Sequence, residues 1–202
     1  MEVPPIQPVP WEQSVQISIE KTPIRDVYVV QPDHFADDRG FFMELYRKDQ
    51  FEELGIPGDF AQWNHSGSVR GVIRGLHFQW DPPMGKLMRV IRGEAYLVAV
   101  DIRRNSPTLG KHVGVRASAE NRVGVLAPAG FARGFAVTSD YAEIMYLCSA
   151  CYNPHAESGI LWNDPELGID WPIEDPIISA KDTSAQTLEN WLAGSESEYF
   201  LY

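Results

Sequence analysis

The 202-residue sequence is poor in histidine, cysteine and positive charge, and each shortage closes off a class of function. Its two cysteines, Cys148 and Cys151, are too few for a disulfide framework. Their C-x-x-C spacing ends a strand-like run and does not open a helix, so two buried or half-buried thiols are expected, not a redox pair. No run of about 18 apolar residues occurs, so no membrane span is expected. The N-terminus lacks a basic start followed by an apolar stretch, so no secretory signal is expected and a cytoplasmic setting is the simplest. Seventeen Lys and Arg stand against 28 Asp and Glu, a net charge of −11. Without a local basic patch, such a chain repels nucleic acid. Glycine-rich phosphate patterns and a G-x-S-x-G elbow are also missing.

The five histidines, at 34, 65, 77, 112 and 155, stand well apart. A metal site in a β-barrel usually takes two histidines from one strand at i and i+2, because alternate side chains share a face. His77 lies in such a strand, but position 79 is Gln79. No H-E-x-x-H and no zinc-spaced cysteine set occurs, so no catalytic metal is expected.

What is present points to a turn-rich β protein. Sixteen glycines, 15 prolines and 11% aromatic residues accompany ordinary hydrophobic (44%) and charged (22%) fractions. The length suits one domain, assigned to 18–202, preceded by a Pro-rich arm at 1–17. Apolar and β-branched segments at 25–30, 41–46, 71–78, 112–116, 123–126, 135–138 and 143–147 read as strands. The stretch 86–102 reads as two more, broken by a hairpin turn at Arg92-Gly93. Such spacing predicts a sandwich or barrel. Residues 95–100 are apolar throughout, which predicts a strand buried on both faces, its outer side covered by a second subunit. Helices are expected at 48–54, stopped by Gly55, and at 184–192, capped by Ser184.

Residue type leaves the chemistry open. His77 suits a core histidine satisfied by a neighbour, which is the commoner case, or a general base. Arg74 and Lys86 lie close to it in sequence, an unusual gathering of basic groups in so acidic a chain, and together they suit an anion site. Tyr146 suits a packed strand aromatic or an acid facing a cup.

Several blocks in order carry more: DDRGFFMELY at 37–46, QWNHSGSVRGVIRGLHFQ at 62–79, the long GKLMRV block at 85–115, PAGFARGFAV at 128–137, ILWNDPELGIDWP at 160–172 and ISAKD ending at Asp182. With them the chain resembles the dTDP-4-dehydrorhamnose 3,5-epimerase family over about 24–192. The resemblance implies an all-β fold, a cupin-like jelly-roll sandwich with a few short peripheral helices. It implies a cofactor-free isomerase that epimerises carbons 3 and 5 of a nucleotide-linked 4-keto-6-deoxy sugar. By the same resemblance His77 is the base, Asp182 its carboxylate partner, Tyr146 the acid on the other face of the sugar and Lys86 the cation near the ketone. Arg74 lies beside the base, and Gln62 and Asn64 are further substrate contacts. Arg39 and Glu44 bind nucleotide and reach the neighbouring subunit's site, which implies a homodimer. Two positions depart from the pattern. Arg133 stands in GFARGF where the family usually reads GFAHGF, and is assigned to substrate binding. Cys151 stands where many members carry an aromatic residue that lines the site. The alternatives are a relative that inverts only carbon 3 or only carbon 5 or that uses another nucleotide sugar, a non-catalytic jelly-roll that binds sugar nucleotides, and a metal-dependent cupin dioxygenase, which the missing second histidine disfavours.

Overall fold

The computed structural model describes residues 15–202. Most of the expected arm therefore lies outside the described residues. Its last part belongs to the body, because Val15 and Ile17 are buried and Ile17 opens the first strand.

Numbered in chain order, the strands form two facing sheets. One has six strands: β1 (Ile17–Lys21), β2 (Tyr28–Pro32), β5 (Gln62–Val69), β7 (Lys86–Arg92), β10 (Gly124–Ala127) and β12 (Tyr141–Cys148), in the order β1-β2-β10-β7-β12-β5. The other has five: β6 (Ile73–Gln79), β8 (Glu94–Asp101), β9 (His112–Ser118), β11 (Phe131–Val137) and β13 (Glu157–Gly159), in the order β13-β6-β11-β8-β9. A separate ribbon pairs β3 (Phe35–Asp37) with β4 (Gly40–Phe42). Three short helices, α1 (Lys48–Glu53), α2 (Ala180–Thr183) and α3 (Leu188–Ala193), are peripheral. The result is the expected jelly-roll sandwich.

Alternation along each strand sorts the side chains into layers. Met88 and Val90 of β7, Leu97 and Ala99 of β8, Phe131 and Phe135 of β11, and Ile144 of β12 meet between the sheets. Their neighbours face outward. Leu76, Phe78, Val98 and Val100 pack beneath Leu188, Trp191 and Phe200 on the far side of the five-stranded sheet. That layer explains why 95–100 is apolar on both faces. Its cover is the chain's own C-terminal segment, where a second subunit was expected. Leu87, Val30 and Leu126 lie outside the six-stranded sheet under Phe51 and Ile56.

The turn at Arg92-Gly93 is a second correction. The strands it joins, β7 and β8, enter opposite sheets, so it is a corner between layers and not a hairpin. Gly93 has φ +71°, and a Cβ there would stand 2.0 Å from the Tyr141 carbonyl oxygen. The expected helix at 184–192 is also revised: it begins only at Leu188, as α3, and a separate short helix, α2, ends before Ser184. Ser179 caps α2 by accepting from the Asp182 N–H, and Thr187 caps α3 by accepting from Asn190 N–H. Ser184 closes α2, so it is not an N-cap.

Candidate active site

The sandwich opens between β5, β12 and β7 on one wall and β6 and β11 on the other. A cavity of about 170 Å³ lies there, lined by Arg74, His77, Lys86, Met88, Arg133 and Tyr146, together with Gly134 and Phe135. Strand alternation aims the polar groups inward. His77 lies between Leu76 and Phe78, which face outward, and Lys86 shares its face with Met88 and Val90. Tyr146 continues the inward set Ala142 and Ile144.

Two glycines bring β6 close to its neighbour β11. A Cβ at Gly134 would lie 2.6 Å from the Arg74 carbonyl oxygen, and one at Gly75 would lie 2.6 Å from the Gly134 Cα. The close pairing sets Arg133 directly opposite His77.

His77 Nε2 and Asp182 Oδ1 are 2.6 Å apart although 105 residues separate them in sequence. Asp182 is buried on α2 and also accepts from the Gly75 N–H at 3.3 Å. Burial opposes its charge, but the His77 contact and the Gly75 N–H outweigh that, and its carboxyl titrates below the ordinary carboxylate range. With Nε2 donating to Asp182, the ring keeps its lone pair on Nδ1.

On the facing wall the Lys86 ammonium lies 5.9 Å from the centre of the Tyr146 ring. Burial, aided by the Arg133 charge, pushes the Lys86 ammonium down to about 8. Asn64 is the strand partner of Tyr146, and Gln62 that of Cys148. Gln62 Nε2 donates to Asn64 Oδ1 at 2.9 Å, and Asn64 Nδ2 contacts Cys148 Sγ at 3.7 Å. Arg74, exposed at the mouth, is held by Nε donating to Ser68 Oγ at 3.0 Å.

Arg133 is 3% exposed, with Nη1 donating to the carbonyls of Met84 (2.9 Å), Ala127 (3.2 Å) and Pro128 (3.1 Å). Burial lowers its guanidinium to about 10, which leaves it charged at neutral pH.

Arg39 and Glu44 are not part of this cavity. Arg39, at the tip of the β3–β4 ribbon, pairs with Asp37 at 2.5 Å, and Glu44 lies 3.5 Å from Arg47. Cys148 is buried and Cys151 is exposed, so the expectation of two at least half-buried thiols holds for the first alone. Gln79, the position that breaks the paired-histidine pattern, is buried and structural. It donates to the Pro82 and Cys151 carbonyls and accepts from Asn153 N–H. Among the described residues no three His, Cys, Asp or Glu side chains are grouped to hold a metal ion. Sequence reasoning missed Met88 and Phe135, which line the cavity; each stands two positions from a basic lining residue, on the same face.

A family model described as dTDP-4-dehydrorhamnose 3,5-epimerase matches residues 21–190. The chain belongs to that family. A dTDP-4-dehydrorhamnose 3,5-epimerase from Methanothermobacter thermautotrophicus is 47% identical over 184 residues, covering 90% of this chain and 96% of the relative. A dTDP-4-dehydrorhamnose 3-epimerase from Streptomyces niveus is 42% identical, covering 82% and 81%. Among solved structures, dTDP-6-deoxy-D-glucose-3,5-epimerase from Legionella pneumophila, in complex with dTDP-4-keto-L-rhamnose, superposes with a TM-score of 0.85 at 41% identity. That match covers 92% of this chain and 98% of the other. Membership of this epimerase family makes the protein an isomerase. No helix among the described residues is long and apolar enough to cross a membrane.

Proposed function

We propose that the protein converts dTDP-4-dehydro-6-deoxy-D-glucose to dTDP-4-dehydro-L-rhamnose by inverting carbons 3 and 5. The observation that carries this is His77 and Tyr146 on opposed walls of one cavity, with the half-buried Lys86 beside Tyr146. His77 Nδ1 removes a proton from a carbon next to the ketone, and the electron pair moves onto the C4 oxygen. Asp182 holds the ring in the tautomer that leaves Nδ1 free and stabilises the imidazolium that forms. Lys86 faces the developing enolate as a preorganised charge. Tyr146 then delivers a proton from the other face, and the centre inverts. Each centre begins and ends at the same oxidation state, so the chemistry needs no redox partner. A sugar-nucleotide binding protein would need neither a base nor an acid facing it.

Arg74, Gln62 and Asn64 serve as substrate contacts at the mouth. Arg39 and Glu44 serve the nucleotide in the site of a neighbouring subunit, so the working form is a homodimer. Two features support this. The β3–β4 ribbon carries Arg39 away from its own cavity and exposes Phe41 and Phe42. The outer face of the six-stranded sheet also has an apolar hollow of about 350 Å³, bordered by Trp63, Met145, Leu147 and Tyr46, and Trp63 is 61% exposed. Two unpaired cysteines, one exposed, suit the reducing cytoplasm.

The test is incubation with the substrate in deuterated water, followed by NMR and mass spectrometry of the sugar. Deuterium with inversion at both carbons is expected. Label and inversion at one carbon would make this a single-centre epimerase, the second reading, which the Arg133 and Cys151 departures allow. No label, where a known epimerase incorporates it, would overturn the function.

A further inference from the structure

Gln79 does more than break the paired-histidine pattern. It ends β6 two residues after His77, on the same face, and is 1% exposed. Its carboxamide serves three backbone groups at once. Nε2 donates to the Pro82 carbonyl at 2.9 Å and to the Cys151 carbonyl at 3.1 Å, and Oε1 accepts from the Asn153 N–H at 2.8 Å. Two donors and an acceptor at the end of one uncharged side chain are what an amide offers, so the junction selects that group.

The three backbone groups belong to two crossings between the sheets. Residues 80–85 carry the chain from β6 into β7 and deliver Lys86. Residues 149–156 carry it from β12, just past Tyr146, into β13. The crossings are tied to each other as well. Asn153 Nδ2 donates to the Asp81 carbonyl at 2.8 Å, and the Gly85 N–H donates to Ser149 Oγ at 2.7 Å. Gln79 fastens this pair of crossings to β6. His77 is held separately, through Asp182 at 2.6 Å.

We propose that Gln79 is a positioning residue for the epimerisation: its amide sets the spacing of the two walls, so that Lys86 and Tyr146 stand where the carbon deprotonated by His77 needs them. The proposal rests on the epimerase reading above. Gln79 acts through the two crossings and does not line the cavity. When the C–H bond breaks, the proton passes to His77 and the electron pair moves into the enolate. A proton returned by His77 restores the starting configuration, and one delivered by Tyr146 inverts it. The choice between them depends on where Tyr146 stands, and an error of about 1 Å in such placement can cost roughly 10²-fold in rate. Loosening the Gln79 junction leaves the base in place and mis-sets the acid, which shifts the balance from inversion toward exchange.

The test uses two variants of the full chain. Gln79→Met is close in length but makes none of the three hydrogen bonds, and Gln79→Glu keeps the acceptor for Asn153. Each is incubated with dTDP-4-dehydro-6-deoxyglucose in deuterated water. NMR early in the reaction measures deuterium in recovered substrate against deuterium in inverted product. For Gln79→Met, inversion is expected to fall about 10–10²-fold, and the ratio of exchange to inversion to rise at least about fivefold. Gln79→Glu is expected to lie between this variant and wild type. A purely structural role would reduce the folded fraction and slow both outcomes together. A ratio within about twofold of wild type in folded Gln79→Met, whatever its rate, would therefore overturn the proposal. If the Met variant does not fold, the Glu variant decides alone: a raised ratio supports the role, and a wild-type ratio refutes it. Wild-type turnover, measured alongside, tests the epimerase reading separately.

Discussion

Replacing Lys86 by methionine is expected to make the protein more stable and nearly inactive. The half-buried ammonium lies near the permanent charge of Arg133, and no carboxylate forms an ion pair with it among the described residues. Its fall from the ordinary 10.5 to about 8 corresponds to a penalty of about 3 kcal/mol for holding the charge in the folded state. Lys86 is only half buried, so cavity water screens part of that cost, and a gain of about 1–3 kcal/mol is expected for Lys86→Met at pH 7. For a chain of this size that raises Tm by roughly 2–10 °C. The gain also has a pH signature. Between about pH 8 and 10.5 the unfolded chain binds more protons at this residue than the folded one, so wild-type stability rises with pH there. The advantage of the variant is therefore full below pH 8 and closes as pH approaches 10.5. Urea unfolding of both proteins at pH 7 and pH 10, at one protein concentration, measures it. A variant less stable than wild type at pH 7, or an advantage that does not shrink at pH 10, would refute the account of Lys86 as a charge held for catalysis at the expense of stability.

Further outcomes follow from the same geometry. Asp182→Asn is expected to keep the fold and lower kcat by about 10³–10⁴-fold, because the amide no longer fixes the tautomer with Nδ1 free; single-turnover kinetics would show it, and a loss under tenfold would remove Asp182 from the mechanism. Tyr146→Phe is expected to retain exchange of a substrate proton with solvent while losing net inversion, and normal product yield in NMR would exclude Tyr146 as the acid. Wild-type kcat is expected to fall as pH rises through about 8, where Lys86 loses its proton. In Arg133→Met that fall should move to higher pH, because the Arg133 charge helps hold Lys86 down, and identical profiles would count against the coupling.

Strands whose two faces are both dry were legible from their residues alone. The segments 86–92 and 94–101 carry runs of β-branched and aliphatic side chains, and both form strands close to the expected bounds. Strand β5 escaped notice because its inward residues, Gln62 and Asn64, face a polar cleft and its outward ones are mixed, so no apolar alternation marks it. The two-helix C-terminal segment was hidden by a surplus of capping residues. Ser179, Ser184 and Thr187 all fit helix starts, and only packing selects two of them. The candidate site was legible in a different way. Periodicity cannot say that His77 meets Asp182, because the pairing spans 105 residues and depends on how α2 docks against β6; the family's ordered motifs carried that expectation. The burial of Arg133 was not legible at all. An arginine in an apolar strand becomes informative only once the three carbonyls that occupy Nη1 are located.

The distance in sequence between His77 and Asp182 has a consequence for the order in which the molecule comes into being. During synthesis both walls of the sandwich, with His77, Lys86, Arg133 and Tyr146, have left the ribosome well before the segment that bears Asp182. An emerging chain therefore carries His77 for some time before the carboxylate that meets it. The α3 segment that seals the outer layer, with Trp191 and Phe200, follows Asp182 directly. The last stretch of chain thus completes the hydrophobic layer and supplies the partner of His77 together, so the outer cover and the histidine's setting are finished by the same segment.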